Sequence, residues 1–197
     1  MEIIFATNNE HKIREIASLI SDRFKILSLS DVNISGDIPE ESDTLEGNAL
    51  GKARFVHKRT GMAVFADDTG LEVHSLGNRP GVHSARYAGE ERDSGKNIEK
   101  LLSEMKNIDD RRARFRTCIA LIAGEKEFLF EGVVDGIIIK EKRGKEGFGY
   151  DPVFVADGMS RTFAEISLDE KNSVSHRARA FEKLVRFLKE QGDNNLS

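Results

Sequence analysis

Met62-Ala63-Val64-Phe65-Ala66-Asp67-Asp68-Thr69-Gly70 runs five apolar residues straight into two adjacent carboxylates. The apolar run has the length and bounds of a buried strand, and Thr69-Gly70 reads as the turn that ends it. Two ionised carboxylates about 4 Å apart near a protein surface repel by roughly 4 kcal/mol. A divalent cation or a shared proton relieves that repulsion, and strand ends in α/β sheets are where ligands bind. Taken alone, the motif has a competing reading, a solvated turn in which Asp67 and Asp68 merely cap the next segment.

On either side of this strand, strands and helices alternate. Glu2 to Ala6 is a short apolar strand, and Ile13, Ile16, Ala17 and Ile20 come next at helical spacing with Asn8 or Asn9 as cap. Phe24 to Leu29 alternates like a strand, and Asp31 to Asp43 is an acidic loop. Thr44 caps a second helix, and Ser94 caps another bearing Ile98, Leu101, Leu102 and Met105. The stretch with Gly77, Pro80, Gly81 and Gly89 reads as loop. Ala113 to Leu121 alternates as a strand, Gly124-Glu125 turns into Phe128 to Phe130, and the sheet continues through Val133-Val134 and Ile137 to Ile139, with a bulge at Gly136. Val153 to Val155 is a further buried strand. A last helix carries Ala178, Phe181, Leu184, Val185 and Leu188 on one face. The expected fold is α/β, a mixed sheet flanked by helices, as one domain over 1–190 with a frayed tail at 191–197.

Composition narrows the function classes. A net charge of −4 over 197 residues offers no global basic field for nucleic acid or a membrane surface, so phosphate binding must be local. The longest apolar stretches fall short of the ~18 residues of a membrane span, and Met1 to Phe5 lacks the basic flank and apolar core of a signal peptide. Cys118 is the single cysteine, which excludes an internal disulfide and fits a reducing cytoplasm.

Four clusters add chemistry. Thr7-Asn8-Asn9-Glu10-His11-Lys12 joins the first strand to the first helix, where free N–H groups and the helix dipole attract anions; the bland alternative is an ordinary capped helix. Glu40 lies in the acidic loop, ahead of Asn48 and Lys52, which share a helix face four residues apart. Gly147-Phe148-Gly149-Tyr150-Asp151 lets backbone approach a flat ligand with a ring for stacking, or packs its aromatics on the core. Lys171, His176 and Arg177 read as the start of the last helix, where cations are disfavoured unless a ligand compensates.

Together these segments resemble the inosine triphosphate pyrophosphatase family over nearly the whole chain. The resemblance rests on Thr7-x-Asn9-x-x-Lys12, Ala66-Asp67-Asp68-Thr69-Gly70-Leu71, Ser84-Ala85-Arg86-Tyr87, Phe148-Gly149-Tyr150-Asp151-Pro152 and Ser175-His176-Arg177, in the family's order. It implies two lobes with an active cleft between them, a homodimer, and Mg²⁺-dependent hydrolysis of non-standard purine nucleoside triphosphates (ITP, dITP, XTP) to the monophosphate and pyrophosphate. Thr7, Asn8, Asn9, Glu10, His11 and Lys12 would hold the triphosphate, helped by Lys52. Asp68 would bind Mg²⁺ and act as base, with Glu40 as a further ligand. Thr69, Phe148, Gly149, Tyr150, Asp151, Lys171, His176 and Arg177 would grip the nucleoside. Thr69, Leu45 and Gly47 depart from the usual Ser, Phe and Glu; Gly47 weakens its helix by roughly 1 kcal/mol relative to Ala. Two rivals stand beside this. A Maf-like nucleotide pyrophosphatase would carry a Ser-Pro-Arg-Arg-type segment after strand one, and a non-catalytic nucleotide sensor would not need the paired acids.

Overall fold

The computed structural model describes residues 2–19 and 25–192. Strands β1 (Glu2–Phe5), β2 (Lys25–Leu27), β3 (Val64–Val73), β4 (Arg79–Gly81), β5 (Arg112–Ala123), β6 (Lys126–Ile138) and β7 (Phe154–Ala156) form one mixed sheet. Its order is β2-β1-β3-β5-β6-β7, with β4 paired to β3. The β1 pairings with β2 and β3 are parallel, and the β3–β4 and β6–β7 pairings antiparallel. The helices are α1 (Glu10–Ala17), α2 (Leu45–Thr60), α3 (Ser94–Glu104), α4 (Leu168–Val174) and α5 (His176–Gly192). Ile20 and Phe24, expected in the first helix and second strand, lie outside the described residues, as do 193–197 of the expected tail.

The chain divides into two units. The first comprises Met1–Asp68, Thr117–Gly132 and Arg177–Ser197; the second comprises Thr69–Arg116 and Val133–His176. In the first, β1 and the start of β3 are apolar on both faces because both are covered, as for parallel strands generally. Ile3, Phe5 and Phe65 pack with Ile16 of α1 and Phe181, Leu184 and Leu188 of α5. Ile4, Ala6, Val64 and Ala66 pack with Ala49, Ala53 and Val56 of α2. Phe5 and Phe65 stack with centroids 4.5 Å apart. In the second unit, Leu71, Val73, Ala113, Phe115, Val134 and Ile138 pack with Ile98 and Leu101 of α3, with Met105 just after it, and with Phe154 and Phe163.

Several local expectations are corrected. Strand β3 does not end at Thr69-Gly70 but runs through both to Val73. Gly70 is there for close approach rather than for a turn: a Cβ would lie 2.6 Å from the Gly81 carbonyl oxygen on β4. Gly136 likewise makes no bulge. It pairs with Ala156, and a Cβ would fall 2.2 Å from the Val155 carbonyl oxygen. The 74–93 stretch is more ordered than a loop, holding β4 and short 3₁₀ turns at His74–Leu76 and Ser84–Arg86. Asp93, not Ser94, caps α3, its carboxylate accepting from the Lys96 N–H. Thr44 caps α2 as expected, accepting from the Gly47 N–H. Gly47 is fitted to that cap, since a Cβ would lie 2.0 Å from the Ser42 hydroxyl.

Candidate active site

Because β3 stays extended through Asp67 and Asp68, the two side chains leave on opposite faces. The pair is therefore not two carboxylates crowded at a turn; each acid meets its own cations. Asp67, buried, takes Lys12 Nζ on Oδ1 at 3.0 Å and Arg177 Nε on Oδ2 at 3.1 Å. Burial alone would raise its pKa, but Lys12, Arg177 and Lys52 outweigh burial and hold it well below the ordinary value. Arg177 also donates through Nη1 to Glu15, so α1, β3 and α5 meet in one buried network of four charges. Glu15 is not singled out by the sequence. The available signal is its spacing from Lys12, one helical turn away on the same face of α1.

Asp68 meets a different set. Asn48 Nδ2 donates to its Oδ2 at 3.1 Å, and Lys52 Nζ lies 3.6 Å from Oδ1. Lys52 donates to Glu40 Oε1 at 2.7 Å, so one ammonium serves both carboxylates. The i, i+4 spacing of Asn48 and Lys52 on α2 is what lets both reach Asp68. Here burial wins: it is the main cause raising the Asp68 pKa, and the neighbouring Glu40 carboxylate adds to it against Lys52 and Lys12. Adjacent acids thus have opposite electrostatic characters. Lys12 and Arg177 keep Asp67 ionised, whereas burial works against the charged form of Asp68.

Glu40 and Asp68 are hard oxygen donors near a common cation, a set suited to Mg²⁺. Among the described residues no group of three His, Cys, Asp or Glu side chains stands at metal-binding spacing. Mg²⁺ does not require one, because it is commonly held by one or two carboxylates with waters and substrate phosphates completing the octahedron. The residues fit the ion.

The Thr7–Lys12 segment is a capped helix start. Asn9 accepts from the His11 and Lys12 N–H groups, and Thr7 Oγ1 accepts from the Asn9 N–H. Lys12 turns inward to Asp67. Asn8, Glu10 and His11 are exposed; Asn8 donates to the Gly36 carbonyl, and Glu10 pairs with Arg14.

In the second unit Lys171 and Asp151 form a buried ion pair at 2.5 Å. The same Asp151 oxygen accepts the Phe148 N–H at 2.8 Å, and Lys171 Nζ stands 5.0 Å from the Phe148 ring centroid. Gly147 has φ +73°, and a Cβ would lie 2.1 Å from Asp151 Oδ2, so glycine is needed for the loop to close on this carboxylate. Tyr150 is buried with its hydroxyl donating to the Ser84 carbonyl at 2.9 Å. Its partner Ser84 accepts from the Leu71 N–H and donates to the Gly81 carbonyl. His176 lies under Phe115, ring centroids 4.6 Å apart. Thr69 and Gly149 are half-buried.

The Lys171–Arg177 segment is not one helix start. Lys171 sits in the last turn of α4, where the dipole favours a cation, and α5 begins only at His176. Arg177 is 1% exposed, its guanidinium held by Glu15 and Asp67. That arrangement ties α5 to α1 and β3 within the first unit. Arg177→Ala should therefore cost about 3–5 kcal/mol of stability, because it strips two buried carboxylates of their partner. Urea unfolding measures this; a loss below about 1 kcal/mol would mean the network carries little.

The profile of the Ham1 family matches residues 3–187. A protein of Christiangramia forsetii named dITP/XTP pyrophosphatase is 51% identical over 188 residues, covering 95% of this chain and 99% of that one. One of the same name from Bacillus subtilis is 46% identical over 191 residues, covering 95% and 96%. The solved Staphylococcus aureus Ham1 protein superposes with a TM-score of 0.88 at 38% identity, covering 97% of this chain and 100% of that one. The Ham1 protein of Coxiella burnetii gives 0.89 at 38% identity, covering 96% and 99%. On a match of this length and identity, the chain belongs to the Ham1 family.

Proposed function

We propose that this protein hydrolyses the non-standard purine nucleoside triphosphates ITP, dITP and XTP to the nucleoside monophosphate and pyrophosphate, with Mg²⁺. The observation that carries the reading is the Asp68 environment. A buried carboxylate of raised proton affinity is fixed by Asn48 at 3.1 Å and shares an ammonium with Glu40. The names of the relatives from Christiangramia forsetii and Bacillus subtilis support the substrate class.

In this reading Asp68 accepts a proton from the attacking water as the α–β phosphoanhydride is cleaved. Lys12 and Lys52 supply point charges for the phosphates, and the capped start of α1 offers backbone N–H groups. Mg²⁺ held through Glu40 and Asp68 would neutralise charge that develops on the phosphate oxygens. Phe148 offers a face for the base, and Asp151, by holding both Phe148 and Lys171, sets the geometry of the nucleoside contacts. His176 and Thr69 complete the proposed nucleoside set. The same resemblance extends the reading to a cytoplasmic homodimer; among the described residues no helix is long and apolar enough to cross a membrane.

Incubating the protein with ITP in Mg²⁺ or in excess chelator tests the reading. Equal amounts of IMP and pyrophosphate should appear with Mg²⁺, and neither with chelator. Retention of bound, uncleaved ITP in Mg²⁺ would point to the non-catalytic sensor instead.

A further inference from the structure

Lys52 stands where the functional reading puts a metal ion. Its Nζ is 2.7 Å from Glu40 Oε1 and 3.6 Å from Asp68 Oδ1. The side chain is only 6% exposed, so this is a built contact rather than a passing surface pair. The other Asp68 oxygen is held separately by Asn48. The chain thus supplies a cation of its own to the two carboxylates that a divalent ion would use.

An ammonium and a divalent ion cannot hold the same carboxylate oxygens at once, because the metal must approach to about 2.0–2.1 Å and the two cations repel. We propose that Lys52 is a resident cation that bars metal from Glu40 and Asp68 until a triphosphate draws its ammonium away, so that metal and nucleotide enter together. The inference rests on the reading of Glu40 and Asp68 as metal ligands and of Lys52 as a phosphate contact. Lys is suited to the exchange, being a compact charge on a flexible four-carbon stem with three donors. Asn48, one turn earlier on α2, keeps Asp68 oriented while the Lys52 stem swings. Without nucleotide the two carboxylates share the one ammonium, which offsets part of their charge, and the fold needs no metal. With nucleotide, phosphate oxygens replace them as partners of Lys52, and the vacated carboxylates favour a divalent ion. Linkage makes the coupling reciprocal: metal must raise nucleotide affinity by the factor by which nucleotide raises metal affinity.

Mn²⁺ binding to the nucleotide-free full chain, followed by electron paramagnetic resonance, tests this without reference to turnover. Wild type should bind Mn²⁺ weakly, and Lys52→Met at least about tenfold more tightly, within the usual range of couplings between ligands. Lys52→Cys should behave like Lys52→Met, and aminoethylating that cysteine should restore weak binding; Cys118 is buried and is the only other thiol. A Lys52→Met protein that folds only when Mn²⁺ is added would also support the proposal, since metal would then replace the missing ammonium. Stoichiometric Mn²⁺ uptake by nucleotide-free wild type would overturn it whatever the variants do, as would equal affinities in wild type and Lys52→Met. If ITP hydrolysis stays Mg²⁺-dependent while those affinities are equal, only the Lys52 inference falls. Metal-independent ITP hydrolysis would remove the metal reading beneath it as well.

Discussion

Asp68→Asn should lower the turnover of ITP by at least ~10²–10⁴, the usual contribution of a general base, with further loss if metal binding fails too. The protein should remain folded, because Asp68 is buried with its charged form disfavoured by desolvation. Replacing a costly buried charge by a neutral isostere removes that cost, and Asn48 can still hydrogen-bond the new amide. Asp67→Asn should do the opposite. There the carboxylate is favoured in the fold by Lys12 and Arg177, and its loss leaves the buried Arg177 and the half-buried Lys12 each short of a partner, costing about 3–5 kcal/mol of stability. Pyrophosphate release and urea unfolding, measured on both variants, give a crossed result. Activity should collapse at 68 without much change in stability, and stability should drop at 67. Wild-type turnover in Asp68→Asn would remove that residue from the mechanism, and equal destabilisation of both variants would contradict the two electrostatic environments.

The contrast between the two acids marks how far local sequence pattern reaches. The apolar run before Asp67 identifies a buried strand, and the i, i+4 spacing of Asn48 and Lys52 places both on the helix face that meets Asp68. Those are periodicity arguments, and periodicity is written locally. The direction of strand β3 beyond Asp68 is not. Thr69-Gly70 has the composition of a turn, but Gly70 answers to the backbone of Gly81, eleven residues on, and only the paired strand shows it. The same limit hides Glu15. On α1 it reads as an ordinary helix glutamate, and its partner Arg177 lies at the start of α5. The cluster of cations at 171–177 has the look of one helix start awaiting an anion. The break at Ser175 instead divides it, giving Lys171 to Asp151 and Arg177 to Asp67 and Glu15. Sequence names the charged residues; pairing across distant elements decides which of them are spent on the fold.

ITP and XTP should exceed ATP by at least ~100-fold in kcat/KM when compared at equal Mg²⁺. Hypoxanthine and xanthine present an acceptor oxygen at the 6-position, whereas adenine presents an amino donor. Lys171 is an ammonium, able only to donate, and it is fixed at 2.5 Å on Asp151, whose same oxygen also fixes the Phe148 backbone. In the proposed site Phe148 offers its ring for stacking, and a base contacted there would meet a donor in a set position. A 6-oxo group satisfies that donor, but a 6-amino group sets donor against donor and leaves buried polar groups unpaired. Such mismatches are rejected by up to ~10⁴–10⁵ where the site is built around hydrogen bonds. GTP shares the 6-oxo group, so its expected disadvantage of the same ~100-fold must arise at the 2-amino group. The two discriminations are therefore separable: changes to the Lys171–Asp151 pair should alter the ITP-to-ATP ratio and leave the ITP-to-GTP ratio nearly constant. Lys171→Arg keeps the charge but changes its geometry, and should narrow the first ratio by raising KM for ITP more than for ATP. Steady-state kinetics on ITP, XTP, ATP and GTP with wild type and this variant measure both ratios. Equal rates across the four nucleotides in wild type would leave an unselective nucleotide pyrophosphatase and remove the proposed substrate class.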